Sequence, residues 1–239
     1  MRLLITRPKE DAETLAAILL ERGHAPIVAP VMEVRLHAGA PVDLSGMQAI
    51  LATSANGVRA LINRTERRDI PLYAVGPQTA EAAREAGFAQ VHSADGDAKA
   101  LIERIKAQLD PAHGKLFHAA GSESAGRVQQ NLQGAGFTVE RNVLYDAVPV
   151  GELPANAAEA LRSGALDGVM LFSPRSAKAF ADLANAAELG DACKSLEAFC
   201  ISSATAEGLK GLEFARVAVA GQPNQDAMLA LLPAPLSNP

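Results

Sequence analysis

Hydroxyl residues stand at matching places in this sequence, each shortly after an apolar run: Thr53-Ser54, Thr79, Ser173-Pro174 and Thr205. If each run is a strand and a helix follows, these hydroxyls sit at helix starts. A helix start presents unpaired N–H groups and partial positive charge, which bind carboxylates or phosphates. In open parallel sheets such starts gather at the carboxyl edge of the strands, where ligands bind. The same hydroxyls also suit plain N-capping, in which the side chain only satisfies its own helix. Both readings stand at this point, and a bound ligand would carry several anionic groups. Arg7 follows the first apolar run and falls at the same edge. There it can clamp a carboxylate or remain ordinary exposed surface. Gly121-Ser122 follows another run and is expected to open a helix. The glycine allows close backbone approach, and the serine can cap or donate. Tyr145 lies in Val143-Leu144-Tyr145-Asp146, an extended stretch near the boundary between the chain's halves. A phenol there can donate a proton, or simply fill a half-buried strand position.

The elements that must carry these residues alternate from the start. Leu3-Leu4-Ile5 reads as a buried strand. Pro8 suits the first turn of a helix that stops at Gly23. Ile27 to Val34 reads as extended, with Pro30 interrupting it. Strands are expected at Ala49–Ala52, Leu72–Val75, Leu116–Ala119, Val169–Phe172, Phe199–Ile201 and Val217–Val219, with a long extended run from Phe137 to Val150. Helices are expected after Ser54, Pro77, Asp97, Pro154, Pro174 and Asn224, from Glu123 to Gln133, and briefly through Glu207. Alternating β and α with short links gives parallel sheets flanked by helices, an α/β class. The sequence also repeats itself. Leu51–Leu61 aligns with Met170–Phe180, and Val75–Glu81 aligns with Ile201–Glu207. Ser54 then matches Ser173, and Thr79 matches Thr205. Gly23 and Gly136 end equivalent helices. Internal repetition in one order indicates two similar α/β units. Taken alone, the repeat divides the chain near residue 112.

Composition narrows the function. A length of 239 residues suits one large domain or two small ones. Trp is absent and aromatics are 4%, so the core is aliphatic. A formal net charge of −5 disfavours broad binding to nucleic acid, which needs a basic face. No run reaches the length of a membrane span, and the start carries no secretory pattern, so a cytoplasmic location is expected. Cys193 and Cys200 match no zinc or redox spacing. His24, His37, His92, His113 and His118 are scattered. No metal site is therefore expected. Walker and dinucleotide fingerprints are missing, as are G-x-S-x-G and any Ser/His/Asp grouping.

Together these segments resemble the uroporphyrinogen-III synthase family over nearly the whole chain. Ile5-Thr6-Arg7-Pro8, with Gly23-His24 and Pro30, is similar to the family's first βα unit. Thr53 to Val58 is similar to its Thr-Ser motif, and Val75-Gly76-Pro77-Gln78-Thr79 to its Val-Gly-x-x-Thr motif. Val143-Leu144-Tyr145 is similar to its Val-Tyr motif, with a Leu inserted or replacing the Val. Phe172-Ser173-Pro174 is similar to its second strand-end motif. The last motif departs: where the family often has Gly-Pro-Thr-Thr, this chain has Ser202-Ser203-Ala204-Thr205, so only Thr205 carries over.

The resemblance implies two flavodoxin-like lobes with parallel sheets flanked by helices, joined by a two-segment extended linker. It moves the division to residues 1–35 plus 147–239 for one lobe and 36–146 for the other. It implies a linear tetrapyrrole substrate, hydroxymethylbilane, whose pyrroles carry acetate and propionate groups. Thr6, Arg7, Ser54, Thr79, Ser122, Ser173, Pro174 and Thr205 become the expected substrate contacts, and Tyr145 the expected catalytic residue. The implied reaction is loss of the terminal hydroxyl as water, attack at the substituted carbon of the last ring, and rearrangement through a spiro intermediate to uroporphyrinogen III. No cofactor is expected. The protein is expected to be a monomer, with room for transient contact with the preceding pathway enzyme. The competing expectation is a non-catalytic bilobal binding or regulatory protein for a small polyanion.

Overall fold

Short apolar runs become strands here because a turn residue follows each one closely. In β1 (Arg2–Ile5) the residues Leu3, Leu4 and Ile5 are fully buried. Pro8 leads into α1 (Lys9–Glu21), and Gly23 ends that helix at φ +74°, where a Cβ is disfavoured. The order continues with β2 (Ala25–Val28), β3 (Met32–Leu36), β4 (Met47–Ala52), α2 (Ala55–Ile62), β5 (Leu72–Ala74), α3 (Pro77–Glu85) and β6 (Val91–Ser93). Then come α4 (Ala98–Gln108), β7 (Lys115–Gly121), α5 (Val128–Gly134), β8 (Val139–Pro149), α6 (Ala155–Arg162) and β9 (Gly168–Leu171). The last elements are α7 (Pro174–Ala186), β10 (Glu197–Cys200), α8 (Ser203–Glu207), β11 (Arg216–Val219) and α9 (Gln225–Leu229). This computed structural model describes residues 1–123 and 127–233.

The chain forms two compact units, Met1–Glu33 with Val148–Pro239, and Val34–Ala147. The two points where it passes from one to the other fall within β3 and β8. The first unit holds a five-stranded sheet, β11-β10-β9-β1-β2, parallel throughout. Counted along that unit's chain this is the doubly wound order 2-1-3-4-5 of flavodoxin. Leu3, Ile5, Met170 and Phe199 pack under α1 and α9. Leu4, Val169, Leu171 and Ala198 on the alternate face are also fully buried, as both faces of a parallel sheet must be.

The second unit holds a six-stranded sheet, β3-β8-β7-β4-β5-β6. Strands β4 to β8 are parallel and follow the other doubly wound order, 3-2-1-4-5. Its alternation is clean. Ile50, Ala52, Phe117 and Ala119 pack with Val58, Leu61 and Ala80 of α2 and α3. Ala49, Leu51 and Leu116 pack with Leu101, Ile105 and Leu132 of α4 and α5. The class is thus α/β with two mostly parallel sheets flanked by helices.

Some boundaries differ from the sequence reading. The expected Glu123–Gln133 helix begins at Val128, preceded by Arg127 with no side-chain cap. Its expected first turn at Ser124–Gly126 lies outside the described residues. Ser122 therefore does not open that helix. Strand β6 was not anticipated, because Val91 is its only strongly apolar residue and the strand sits half-buried at the sheet edge. The Ile27–Val34 stretch splits at Pro30 into β2 and β3, which join different sheets.

Candidate active site

A doubly wound sheet has one place where the strand order reverses, and the crevice at the carboxyl ends of the flanking strands is where such folds bind ligands. In the first unit that place lies between β1 and β9. Thr6 and Arg7 follow β1, and Ser173 and Pro174 follow β9. In the second unit it lies between β4 and β7, where Ser54 follows β4 and Ser122 follows β7. Tyr145 sits on β8, the next strand over. Thr79 and Thr205 lie one strand further out, after β5 and β10.

The side chains divide by exposure. Thr6 is fully buried, and its hydroxyl donates to the Met170 carbonyl at 2.9 Å, tying the ends of β1 and β9 together. Arg7 is not exposed surface. It is buried, pairs with the Asp11 carboxylate at 3.1 Å, and lies 4.5 Å over the Phe172 ring. The carboxylate it clamps is therefore one of the fold's own. Thr79 and Thr205 are buried. The Ser202 hydroxyl accepts from the Thr205 N–H at 3.3 Å and shares a 3.0 Å hydrogen bond with the Thr205 hydroxyl. Ser54 and Ser173 are half-buried and Pro174 and Ser122 are exposed. Ser54 caps α2 by accepting from the Asn56 N–H at 3.1 Å. Ser173 caps α7 by accepting from the Ser176 N–H at 3.0 Å, and its hydroxyl also shares a 2.9 Å bond with that of Ser176. Capping is thus established for Ser54 and Ser173. It leaves each hydroxyl partly open at the edge, with the N–H groups of the first helical turn behind it.

Tyr145 is buried in the core of the second unit, and its ring packs against Gly121. A Cβ at Gly121 would come 2.9 Å from the Tyr145 Cζ and 3.1 Å from its hydroxyl. Glycine is required there so that the phenol can occupy that space. The Ser122 N–H donates to the Tyr145 carbonyl at 3.0 Å. Arg141 holds the turn from below by donating to the Gly121 carbonyl at 2.5 Å and the Ser122 carbonyl at 3.1 Å. Beside Tyr145, the Asp146 carboxylate accepts from His37 Nε2 at 2.8 Å, with the Ser122 hydroxyl close by. Those two neighbours, the serine first, hold Asp146 below the usual carboxylate range. His37 and Asp146 went unnoticed in the sequence because 109 residues separate them. The one available signal was Asp146's place next to Tyr145.

Among the described residues, no group of three or more His, Cys, Asp or Glu could hold a metal ion, and no helix is long and apolar enough to cross a membrane.

The family model described as uroporphyrinogen-III synthase HemD matches residues 13–230. The chain belongs to the uroporphyrinogen-III synthase family. This makes it an enzyme, a lyase of porphyrin biosynthesis. It is 28% identical over 203 residues to the uroporphyrinogen-III synthase of Chlorobaculum parvum, covering 79% of this chain and 81% of that one. Among solved structures, the fold is similar to the uroporphyrinogen-III synthetase of Helicobacter pylori, with a TM-score of 0.66 at 18% identity over 97% of this chain and 98% of that one. It is also similar to a mutant uroporphyrinogen III synthase of Thermus thermophilus, with a TM-score of 0.54 at 20% identity over 96% of each chain.

The half-buried hydroxyls yield a testable split. Ser54→Ala and Ser173→Ala are each expected to raise KM by about fivefold, the scale of one neutral hydrogen bond of about 1 kcal/mol. Each also lowers melting through its lost cap. Thr6→Val, which breaks only the internal bond to Met170, is expected to lower melting and leave KM unchanged. Thermal melts and Michaelis curves on the same preparations check this. If every loss of rate tracks a loss of folded protein, the serines are caps alone.

Proposed function

We propose that this protein cyclises hydroxymethylbilane to uroporphyrinogen III, inverting the last pyrrole ring and releasing the terminal hydroxyl as water. The observation that carries the reading is the coincidence of two independent facts. Of the motif residues that resemble the family's, Thr6, Arg7, Ser54, Ser173 and Pro174 stand at the order-reversal edges of the two sheets, and Tyr145, Thr79 and Thr205 stand one strand further out. Family membership supplies the reaction class.

In this account each unit offers substrate carboxylates its own helix starts: Ser54 and the first turn of α2 in the second unit, Ser173 and the first turn of α7 near Pro174 in the first, while Ser122 serves Asp146 beside Tyr145. Thr6, Arg7, Thr79 and Thr205 act from behind and keep the strand ends in shape. Backbone N–H groups let a protein of net charge −5 hold a polyanion without a basic surface. The Tyr145 phenol gives its proton to the departing hydroxyl, which leaves as water from the carbon attached to the first ring. The resulting electrophile is attacked by the substituted carbon of the last ring. The spiro intermediate then opens and recloses with that ring reversed, and the ring proton released at the end returns to the phenolate and restores Tyr145. All reacting atoms belong to the substrate except the donated proton, so no cofactor enters. The protein's main contribution is to hold the chain in the shape that favours attack at the substituted carbon. The protein acts as a monomer in the cytoplasm, next in sequence to the enzyme that releases the bilane.

Turnover of freshly prepared hydroxymethylbilane after exhaustive chelation, with no nucleotide added, tests the cofactor-free step. Unchanged turnover is expected. Activity that is lost on chelation and restored only by a metal contradicts it.

A further inference from the structure

Three polar side chains from separate segments meet at the carboxyl end of β8. Asp146 lies in β8, His37 just beyond β3 and Ser122 just beyond β7. Asp146 accepts from His37 Nε2 at 2.8 Å, and the Ser122 hydroxyl is close enough to favour its charged form. The other ring nitrogen of His37, Nδ1, lies 3.2 Å from the Val143 carbonyl oxygen. A carbonyl and a carboxylate can only accept, so His37 makes both bonds only as an imidazolium with two N–H donors. The bond to Asp146 also raises the His37 pKa. The charged groups that act on the ring are Asp146 on β8 and Arg64 beyond α2, which donates to the His37 carbonyl at 3.1 Å; Arg35 on β3 acts on Asp146.

The His37 and Asp146 side chains are each 36% exposed, and ion pairs that wet contribute little to stability. Their consequence is geometric. The His37 ring holds the Val143 carbonyl, the His37 N–H holds the Leu144 carbonyl at 2.8 Å, and the Ser122 N–H holds the Tyr145 carbonyl at 3.0 Å. Three consecutive carbonyls are fixed, and the side chain of the last is the phenol resting on Gly121.

We propose that Asp146, held by His37 and flanked by Ser122, is a positioning residue that sets the direction of the Tyr145 phenol toward the leaving hydroxyl. This rests on the reading of Tyr145 as the proton donor. Deprotonation of His37 removes one of the ring's two bonds, so the clasp loosens as pH rises through the raised His37 pKa. Turnover should then decline on the alkaline side.

The test measures kcat and KM across pH for Asp146→Asn, His37→Gln and Ser122→Ala, alone and combined with Tyr145→Phe, together with melting. In the single variants kcat is expected to fall by up to about tenfold, the cost of a misplaced group, with KM little changed. His37→Gln should flatten the alkaline decline, and Ser122→Thr should restore the rate lost in Ser122→Ala. No further loss is expected once the phenol is absent. Because Ser122 is exposed, its variants keep the fold and the test stays interpretable. Clasp variants with full kcat, beside an impaired Tyr145→Phe, overturn the positioning role and leave the donor intact. Losses that add to that of Tyr145→Phe assign the clasp to the fold alone. Full turnover in Tyr145→Phe overturns the donor reading and the positioning role with it.

Discussion

Tyr145→Phe is expected to lower turnover by roughly tenfold or more, the low end of general acid catalysis, with near-normal melting and little change in product affinity. The substitution keeps the ring, which is part of the second unit's core, and removes only the hydroxyl. Packing on Gly121 is therefore retained. In the proposed reaction the leaving alcohol is attached to a pyrrole-bearing carbon and departs readily, so the gain expected from a donor stays near the bottom of the usual range. Gly121→Ala approaches the same site from the opposite side. Its methyl group would fall 2.9 Å from the Tyr145 Cζ, and a buried ring on a paired strand has little freedom to give way. Turnover and melting are both expected to fall in that variant, whereas Tyr145→Phe loses turnover alone. A Phe variant with full turnover removes the phenol from the chemistry and leaves the shaping of the substrate as the main catalytic device.

His118→Leu is expected to stabilise the protein, most of all in acid. His118 lies in the middle of β7, between Leu51 of β4 and Arg141 of β8 in register, and is 1% exposed. Neither ring nitrogen has a hydrogen-bond partner among the described residues. An unpaired buried polar group costs about 1–3 kcal/mol, which an apolar side chain of similar size recovers. Burial, with Arg141 adding to it, pushes the His118 pKa down to about 4. The folded ring then stays neutral while the unfolded ring takes up a proton below about pH 6.5. The unfolded state binds more protons between those values, so stability falls as pH falls through that window and levels off below it. The loss is about 3 kcal/mol at the acid end. His24, whose pKa is lowered chiefly by burial, acts in the same direction. The difference in stability between His118→Leu and the parent, from denaturant melts at pH 4 to 7, isolates the His118 share. It should widen toward acid; a difference independent of pH would mean that the buried ring is protonated or solvated in the native state.

Local signals in the sequence were enough for most of the fold. Asp97 and Asn224 cap α4 and α9 through their side chains, and Ser54 and Ser173 cap α2 and α7, because capping depends on neighbours two or three residues away. Apolar runs such as Leu3–Ile5 mark strands buried on both faces. The different strand orders of the two sheets were not legible, since the repeats align in sequence while the order depends on non-local pairing. The beginning of α5 was misread because no side chain caps it. The burial of Arg7 depends on Phe172, 165 residues away by number yet next to β1 through β9. The same holds for the clasp on Asp146. Chemistry-bearing types at strand ends could thus be picked out, whereas which of them are open and which are engaged depends on contacts that no spacing encodes.

Ring closure through the rearranged path is tested most directly by supplying hydroxymethylbilane to the purified protein, oxidising the products to porphyrins and separating the ring isomers. The account predicts that the isomer with the inverted last ring dominates and that its share rises with protein concentration. Bilane that closes only to the unrearranged isomer, at the rate seen without protein while remaining bound to it, would contradict the account and leave a protein that binds a polyanion without catalysis.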